Sequence, residues 1–256
     1  MTPCTLPGSQ APAATPPPPA GIPRRSLAGV LASPPVRLGA GAAVVAVTAV
    51  AARHRHVSPW EASAFRAVNG LPSSVYPVAW ACMQLGTFGA APAAAGAAWL
   101  AGEHELAARL LAGGVGTWAI AKLVKQVVRR PRPGALLPGT RCRGRPAAGL
   151  GYLSGHAGVA TALGAAALPR LGPGGRALVR IAVPAVGLTR IYAGAHLPLD
   201  IAGGAALGLA VDAAVSLCAG RFAGSRRGPT SPASGPAGTG PGSAAVGGWR
   251  QTGGRG

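Results

Sequence analysis

Acidic side chains are nearly missing from this sequence: 5 Asp and Glu stand against 24 Lys and Arg among 256 residues, a formal net charge of +19. So few carboxylates, none of them gathered into a cluster, leave no oxygen cage for a divalent cation. The cysteines Cys4, Cys82, Cys142 and Cys218 show no CxxC spacing, so neither a zinc site nor a disulfide framework is expected. Aromatic residues make up 4% of the chain, and the 49% that is hydrophobic is built largely from alanine, valine and leucine.

High positive charge combined with high hydrophobicity points either to nucleic acid or to a membrane. The distribution decides between them. Basic residues gather in two tails (Arg24, Arg25 and Arg37; Arg221, Arg226, Arg227, Arg250 and Arg255) and in one central run from Arg129 to Arg145. The stretches between them are almost uncharged, which a soluble nucleic-acid binder has no use for. A membrane is the expected partner, and nucleic acid is not.

Residues 1–35, with their run of prolines from Pro16 to Pro19, and residues 221–256, rich in Gly, Pro and Ser, are too poor in large apolar side chains to fold and read as disordered tails. Between them, residues 36–220 hold six apolar segments: Leu38 to Ala52, Val75 to Leu100, Leu106 to Val128, Gly155 to Leu171, Ala177 to Ala193 and Leu197 to Ala219. The first reaches only about 22 Å as a helix, short of the ~30 Å hydrocarbon core, and is taken as a short span. The expected fold class is all-α, a polytopic membrane bundle of about six transmembrane helices. Small residues such as Gly204 and Gly208 let the backbones approach closely. Ser58 to Asn69 reads as an amphipathic helix on the membrane surface, with Ser58 as its N-cap, Pro59 in the first turn, and Trp60, Ala64, Phe65 and Val68 on its apolar face.

With six spans and two basic tails, both tails belong in the cytoplasm. The loop from Val128 to Tyr152 then falls outside, although it carries Arg129, Arg130, Arg132, Arg141, Arg143 and Arg145. Either the topology is inverted or these arginines have a task on the outer side.

Three stretches near one face carry reactive side chains. In KQVVRRPRP, Lys125 and Arg132 flank a helix end enforced by Pro131 and Pro133. Alone, this stretch reads more simply as a basic cap reaching for the membrane boundary. In GYLSGHAGVA, Ser154 is a good N-cap, so free amides open beside Gly155 and His156, where an anion is welcome. An ordinary capped helix with an interfacial histidine fits that stretch equally well. In TRIYAGAHLPLD, Arg190 closes one apolar segment and Pro198 starts the next, which sets His196 and Asp200 four apart on one helix face. An aspartate at the start of an apolar helix is costly unless it has work to do.

The three together, K-x6-RP, SGH and R-x5-H-x3-D in this order, resemble the signature of the type 2 phosphatidic acid phosphatase family of integral membrane lipid phosphatases. The resemblance covers about Trp60 to Ala219. Leu153 stands where the family has proline and Thr189 where it has serine; neither exchange removes a catalytic atom. The resemblance implies a hydrolase that cleaves a lipid phosphate or polyprenyl diphosphate without a metal or other cofactor. It implies His196 as nucleophile forming a phosphohistidine, Asp200 as its orienting carboxylate and His156 as general acid and base. Lys125, Arg132, Ser154, Gly155 and Arg190 would cradle the phosphate. The implied site faces outward from a bacterial plasma membrane, with a phosphorylated lipid as its partner; the oligomeric state stays open.

Other polar residues receive plainer readings. The Glu103-His104-Glu105 run is a solvated loop, and His54 and His56 are the polar flank of the first segment. Lys122 is a packing or snorkelling residue. Asp212, about 18 Å along its helix from Asp200, has Arg180 as a poor candidate partner. Two rival functions are a catalytically silent membrane protein that binds anionic lipid through its basic loop and tails, and phosphoryl transfer or haloperoxidase-type chemistry at a related site.

Overall fold

A computed structural model describes residues 33–53, 56–145 and 148–226, with side chains as far as Arg221. Residues 1–32 and 227–256, which make up most of the two expected tails and include Cys4, lie outside the described residues, as do His54 and Arg55. The described part is helical: α1 (Pro34–Arg53), α2 (Pro59–Asn69), α3 (Tyr76–Gln84), α4 (Ala90–Leu100), α5 (His104–Val128), α6 (Gly155–Ala167), α7 (Pro173–Tyr192) and α8 (Pro198–Arg226). One helical turn, Pro133–Leu136, interrupts the loop between α5 and α6.

Each apolar segment is helical, in keeping with an all-α bundle, but apolarity did not report every break. The segment from Val75 to Leu100 is two helices, separated by a turn over residues 85–89. Gly86 sits in that turn against α6, where a Cβ would lie 2.5 Å from the His156 carbonyl oxygen. The next shortfall is α6, which ends at Ala167 and passes into a short 3-10 turn, Leu168–Arg170. By length and composition, three helices among the described residues suffice to cross a membrane: α1, α5 and α8. Their outward faces carry apolar side chains, among them Val47 (69% exposed) and Leu123 (67%), as hydrocarbon rather than water demands. These apolar helices mark an integral membrane protein.

The helices that bear the reactive residues are held together by glycine. α6 and α8 approach so closely that a Cβ on Gly204 would meet the Ser154 carbonyl oxygen at 2.3 Å, and one on Gly208 would meet the Gly158 carbonyl at the same distance. Both obstacles are backbone and cannot swing aside. The expected small-residue packing is therefore present, and it sets the separation of the α6 and α8 N-termini. Gly204→Val is expected to cost about 1–3 kcal/mol through overpacking and to displace the α6 start. Thermal unfolding in detergent checks this, and an unchanged midpoint would refute it.

The amphipathic helix α2 does not lie free on the membrane surface. Ser58 caps it as expected, accepting from the Glu61 amide at 3.4 Å. Its buried face, however, is Glu61, Ala62, Phe65 and Asn69, while Trp60 is 57% exposed and Ala64 is also exposed. Phe65 joins a cluster with Leu137, Ile191 and Leu197, and the Asn69 amide donates to the carbonyls of Arg141 and Tyr192. The helix is docked by polar anchors that a count of apolar residues does not weigh.

Candidate active site

Four chain segments meet at one end of the bundle: the C-terminal ends of α5 and α7 and the N-terminal ends of α6 and α8. The α5 helix ends at Val128 through Arg129, whose left-handed backbone (φ 53°) turns the chain before Pro131. The segment that follows re-enters the protein with Arg130 and Arg132. At α6, Ser154 is the N-cap, its hydroxyl accepting from the Ala157 amide at 3.4 Å. Its own amide donates to the Asp200 carbonyl at 2.9 Å, which locks the two helix starts together.

These ends enclose a cavity of about 230 Å³ lined by Lys125, Arg132, Gly155, His156, Arg190 and His196. Six of the eight residues expected from sequence thus face one space. The other two stand behind it. Ser154 is fully buried with its hydroxyl committed to the cap, and Asp200 is fully buried beneath His196. The His196 Nδ1 lies 3.6 Å from Asp200 Oδ2, a contact just beyond hydrogen-bond length, while the same oxygen accepts from the Leu197 amide at 2.8 Å. Burial pushes the His196 imidazole below its ordinary pKa; the Asp200 carboxylate pulls it back, and Lys125 and Arg190 add to the downward push.

The cations are placed with donors to spare. Lys125 Nζ donates to the carbonyls of Leu150 and Gly151, both at 3.2 Å, leaving one of its three protons. Arg132 spans to the Ala195 carbonyl at 2.8 Å and to the Ala148 carbonyl at 2.9 Å. Arg190 contacts the Met83 sulfur at 3.1 Å, and its buried Nε has no partner. A buried guanidinium so poorly satisfied is costly unless an anion completes it.

Sequence reasoning missed what holds Asp200. Arg130, 1% exposed, donates to Asp200 Oδ1 at 2.9 Å and to both oxygens of Glu61 at 3.0 and 2.6 Å. Glu61 also accepts from the Leu199 amide at 3.1 Å, next to the start of α8. Two carboxylates around one guanidinium leave one net negative charge beneath His196. A signal was available: Glu61 is one of five acids in the chain, and it sits on the amphipathic α2. Its partner lies 69 positions away, so no local pattern pointed to this role. Lys122 was also set aside, yet it lines the cavity with its ammonium 3.7 Å from the Trp118 ring centroid.

Residues outside the cavity also find partners. Asp212 pairs with Arg109 at 2.7 Å and with Arg37 at 3.0 Å rather than with Arg180, joining α8, α5 and α1 at the other end of the bundle. Glu103 and Glu105 both pair with Arg170, and His104 stacks on Trp99 at 4.3 Å, so this run is a charged surface as expected.

Parts of the chain are similar to known proteins. Residues 106–223 match the model of the PAP2 superfamily, in line with the resemblance read from the motifs. The decaprenylphosphoryl-5-phosphoribose phosphatases of two Mycobacterium tuberculosis strains, CDC 1551 / Oshkosh and ATCC 25618 / H37Rv, are each 39% identical over 104 residues. That match takes in 41% of this chain and 56% of each relative, so the chain matches little more than half the length of these curated relatives. Among solved structures, LpxE of Aquifex aeolicus superposes with a TM-score of 0.57 at 20% identity, covering 60% of this chain and 93% of that one. A transmembrane PAP2 type phosphatidylglycerolphosphate phosphatase of Bacillus subtilis gives 0.54 at 17% identity, covering 72% and 97%. Both likenesses establish the fold.

Proposed function

We propose that this chain, which carries a PAP2 superfamily region over residues 106–223, hydrolyses a phosphate ester or diphosphate borne by a lipid, through a phosphohistidine intermediate. The observation that carries the reading is the convergence of His156, His196, Lys125, Arg132 and Arg190 on one cavity. Binding an anionic head group calls for the cations alone; two histidines beside them supply what cleavage needs, a nucleophile and a proton carrier.

In this reading the His196 Nε2 attacks phosphorus while the bond to the ester oxygen breaks, and His156 donates its proton to the departing oxygen. His156, now neutral, takes a proton from water, whose oxygen attacks the phosphohistidine and releases phosphate. Asp200 stabilises the positive charge that His196 acquires. Lys125, Arg132 and Arg190 offset charge on the equatorial oxygens, the guanidinium groups matching pairs of oxygens. The Gly155 amide, in the first turn of α6, adds a backbone donor. Because the tails are basic and the catalytic loop is basic for a chemical reason, we place the cavity at the outer face of a bacterial plasma membrane.

The test is phosphate release by purified protein in detergent, from a lipid phosphate panel that includes phosphatidate and a polyprenyl diphosphate. No release from any member would overturn the reading in favour of a silent lipid-binding protein. The pH profile carries a further prediction. His196 attacks only when neutral, and burial lowers its pKa. The acid limb of kcat/KM is therefore expected to fall below the ordinary imidazole value of about 6.5. Asp200 opposes that lowering, so Asp200→Asn is expected to move the limb to still lower pH while reducing kcat by on the order of 10³. An acid limb above the ordinary value would contradict the assignment.

A further inference from the structure

Beside the candidate active site lies a second cavity of about 140 Å³, lined by Arg143, Arg145, Cys142 and the chain at residues 193–195. Arg132 and Arg190 line both spaces, so the two are separated by little more than these guanidinium groups. Arg143 is held rigidly. Its Nη1 donates to the carbonyls of Asn69 at 2.9 Å and Tyr192 at 2.7 Å, its Nη2 to that of Leu71 at 2.7 Å, and it stacks 4.1 Å over the Tyr192 ring. Its Nε and a second Nη2 proton are left over. Arg145 is exposed and has no hydrogen-bond partner among the described residues.

No Asp or Glu side chain neutralises the charge here. Each of the chain's 5 Asp and Glu side chains is engaged elsewhere: Glu61 and Asp200 by Arg130, Glu103 and Glu105 by Arg170, and Asp212 by Arg37 and Arg109. Lys125, Arg132 and Arg190 already suffice for one phosphoryl group. Two further arginines, one of them preorganised, line the neighbouring cavity and not the first.

We propose that this second cavity binds a second phosphoryl group of the same substrate, a phosphodiester or the other phosphate of a diphosphate. The chain would then select lipids bearing two phosphoryl groups over lipids bearing one. The inference rests on the phosphatase reading for which group is cleaved, and on Arg143 and Arg145 for which group is held. It also accounts for the arginines gathered in a loop that charge rules would keep inside the cell. A bulk anionic phospholipid offers the same phosphate chemistry, so the experiment separates the two sources.

Two probes in neutral detergent micelles make the comparison: phosphatidate, with one phosphoryl group, and phosphatidylglycerol phosphate, with a diester beside the monoester. Wild type is expected to prefer the second in kcat/KM. Arg145→Gln is expected to reduce that preference about tenfold, mainly through KM, as the loss of one charge-assisted phosphate contact implies. An unchanged preference, or an equal loss on both lipids, overturns the proposal.

A readout independent of turnover uses a protein in which Cys4, Cys82 and Cys218 are serine and Cys142 alone reacts with N-ethylmaleimide. Methylenediphosphonate is expected to slow that reaction at concentrations where inorganic phosphate does not, and Arg145→Gln to remove the protection. Absence of protection, or equal protection by both ions, counts against the second subsite even if the protein proves to have no phosphatase activity. Protection by phosphatidylglycerol micelles alone would assign the cavity to bulk lipid and overturn the same-substrate proposal. If turnover fails on every lipid while methylenediphosphonate still protects Cys142, the phosphatase reading falls and the two-phosphoryl site stands.

Discussion

Replacing His196 with alanine is expected to stop phosphate release, a fall on the order of 10⁵–10⁶-fold that leaves only the background rate. His196 lies in the chain linking α7 and α8, 3% exposed, and is the one imidazole among the described residues with a nitrogen facing a buried carboxylate. No other described side chain in the cavity has both a nucleophilic atom and a negative partner to absorb the charge formed on attack. His156→Ala is also expected to be slow, but with a different signature. It keeps the nucleophile, so a substrate with a good leaving group, which needs no proton, is cleaved to a phosphoenzyme that then fails to turn over. Acid-labile phosphate trapped on His156→Ala and absent from His196→Ala is the measurement that distinguishes the roles. Turnover surviving in His196→Ala would end the proposed mechanism.

The second large effect is on stability. Arg130→Met leaves Glu61 and Asp200 buried, both nearly inaccessible, with no guanidinium between them. Removing one member of such a network is expected to cost about 3–5 kcal/mol, because the remaining charges stay desolvated and repel each other. The cost shows as a lowered unfolding midpoint in detergent, and activity falls with it as Asp200 loses the partner that holds it beneath His196. Adding Glu61→Leu to Arg130→Met removes one of the stranded charges and is expected to restore part of the stability. It is not expected to restore activity, since Asp200 still lacks the partner that holds it beneath His196. Equal midpoints for wild type and Arg130→Met would show that the network contributes nothing to stability.

The legible part of the site lay in short spacings. His196 and Asp200 are four apart across a helix start that Pro198 announces, and a side chain's reach is enough to bring them together. Ser154 before an apolar run announced the α6 N-terminus with equal economy, and the structure has it as the cap. Gly204 and Gly208 advertised a close helix contact without saying with which helix. The illegible part lay in partners. Glu61 is 69 positions from Arg130, and Asp212 is 103 positions from Arg109. No periodicity links such residues, and Arg180, the one partner the sequence suggested for Asp212, was already a poor match. The break at residues 85–89 was invisible for a related reason. It is set by how near the α3–α4 turn comes to the His156 carbonyl, not by any loss of apolar character.

Residue order is enough to dictate the chemistry: which imidazoles, guanidiniums and acidic side chains exist, that five acids must serve 24 cations, and which helix ends present them. Caps, prolines and four-residue steps act over one or two turns, so the local chain dictates them whatever surrounds it. Tertiary structure alone decided that Arg130 turns inward to hold Asp200 while Arg132 faces the cavity, and that α2 is anchored by Glu61 and Asn69. It also decided that Arg143 and Arg145 open a second basic space beyond Arg132 and Arg190. The physical reason is that burying a charge requires a partner brought by another helix, and which helix arrives depends on the close packing of glycine surfaces across the whole bundle.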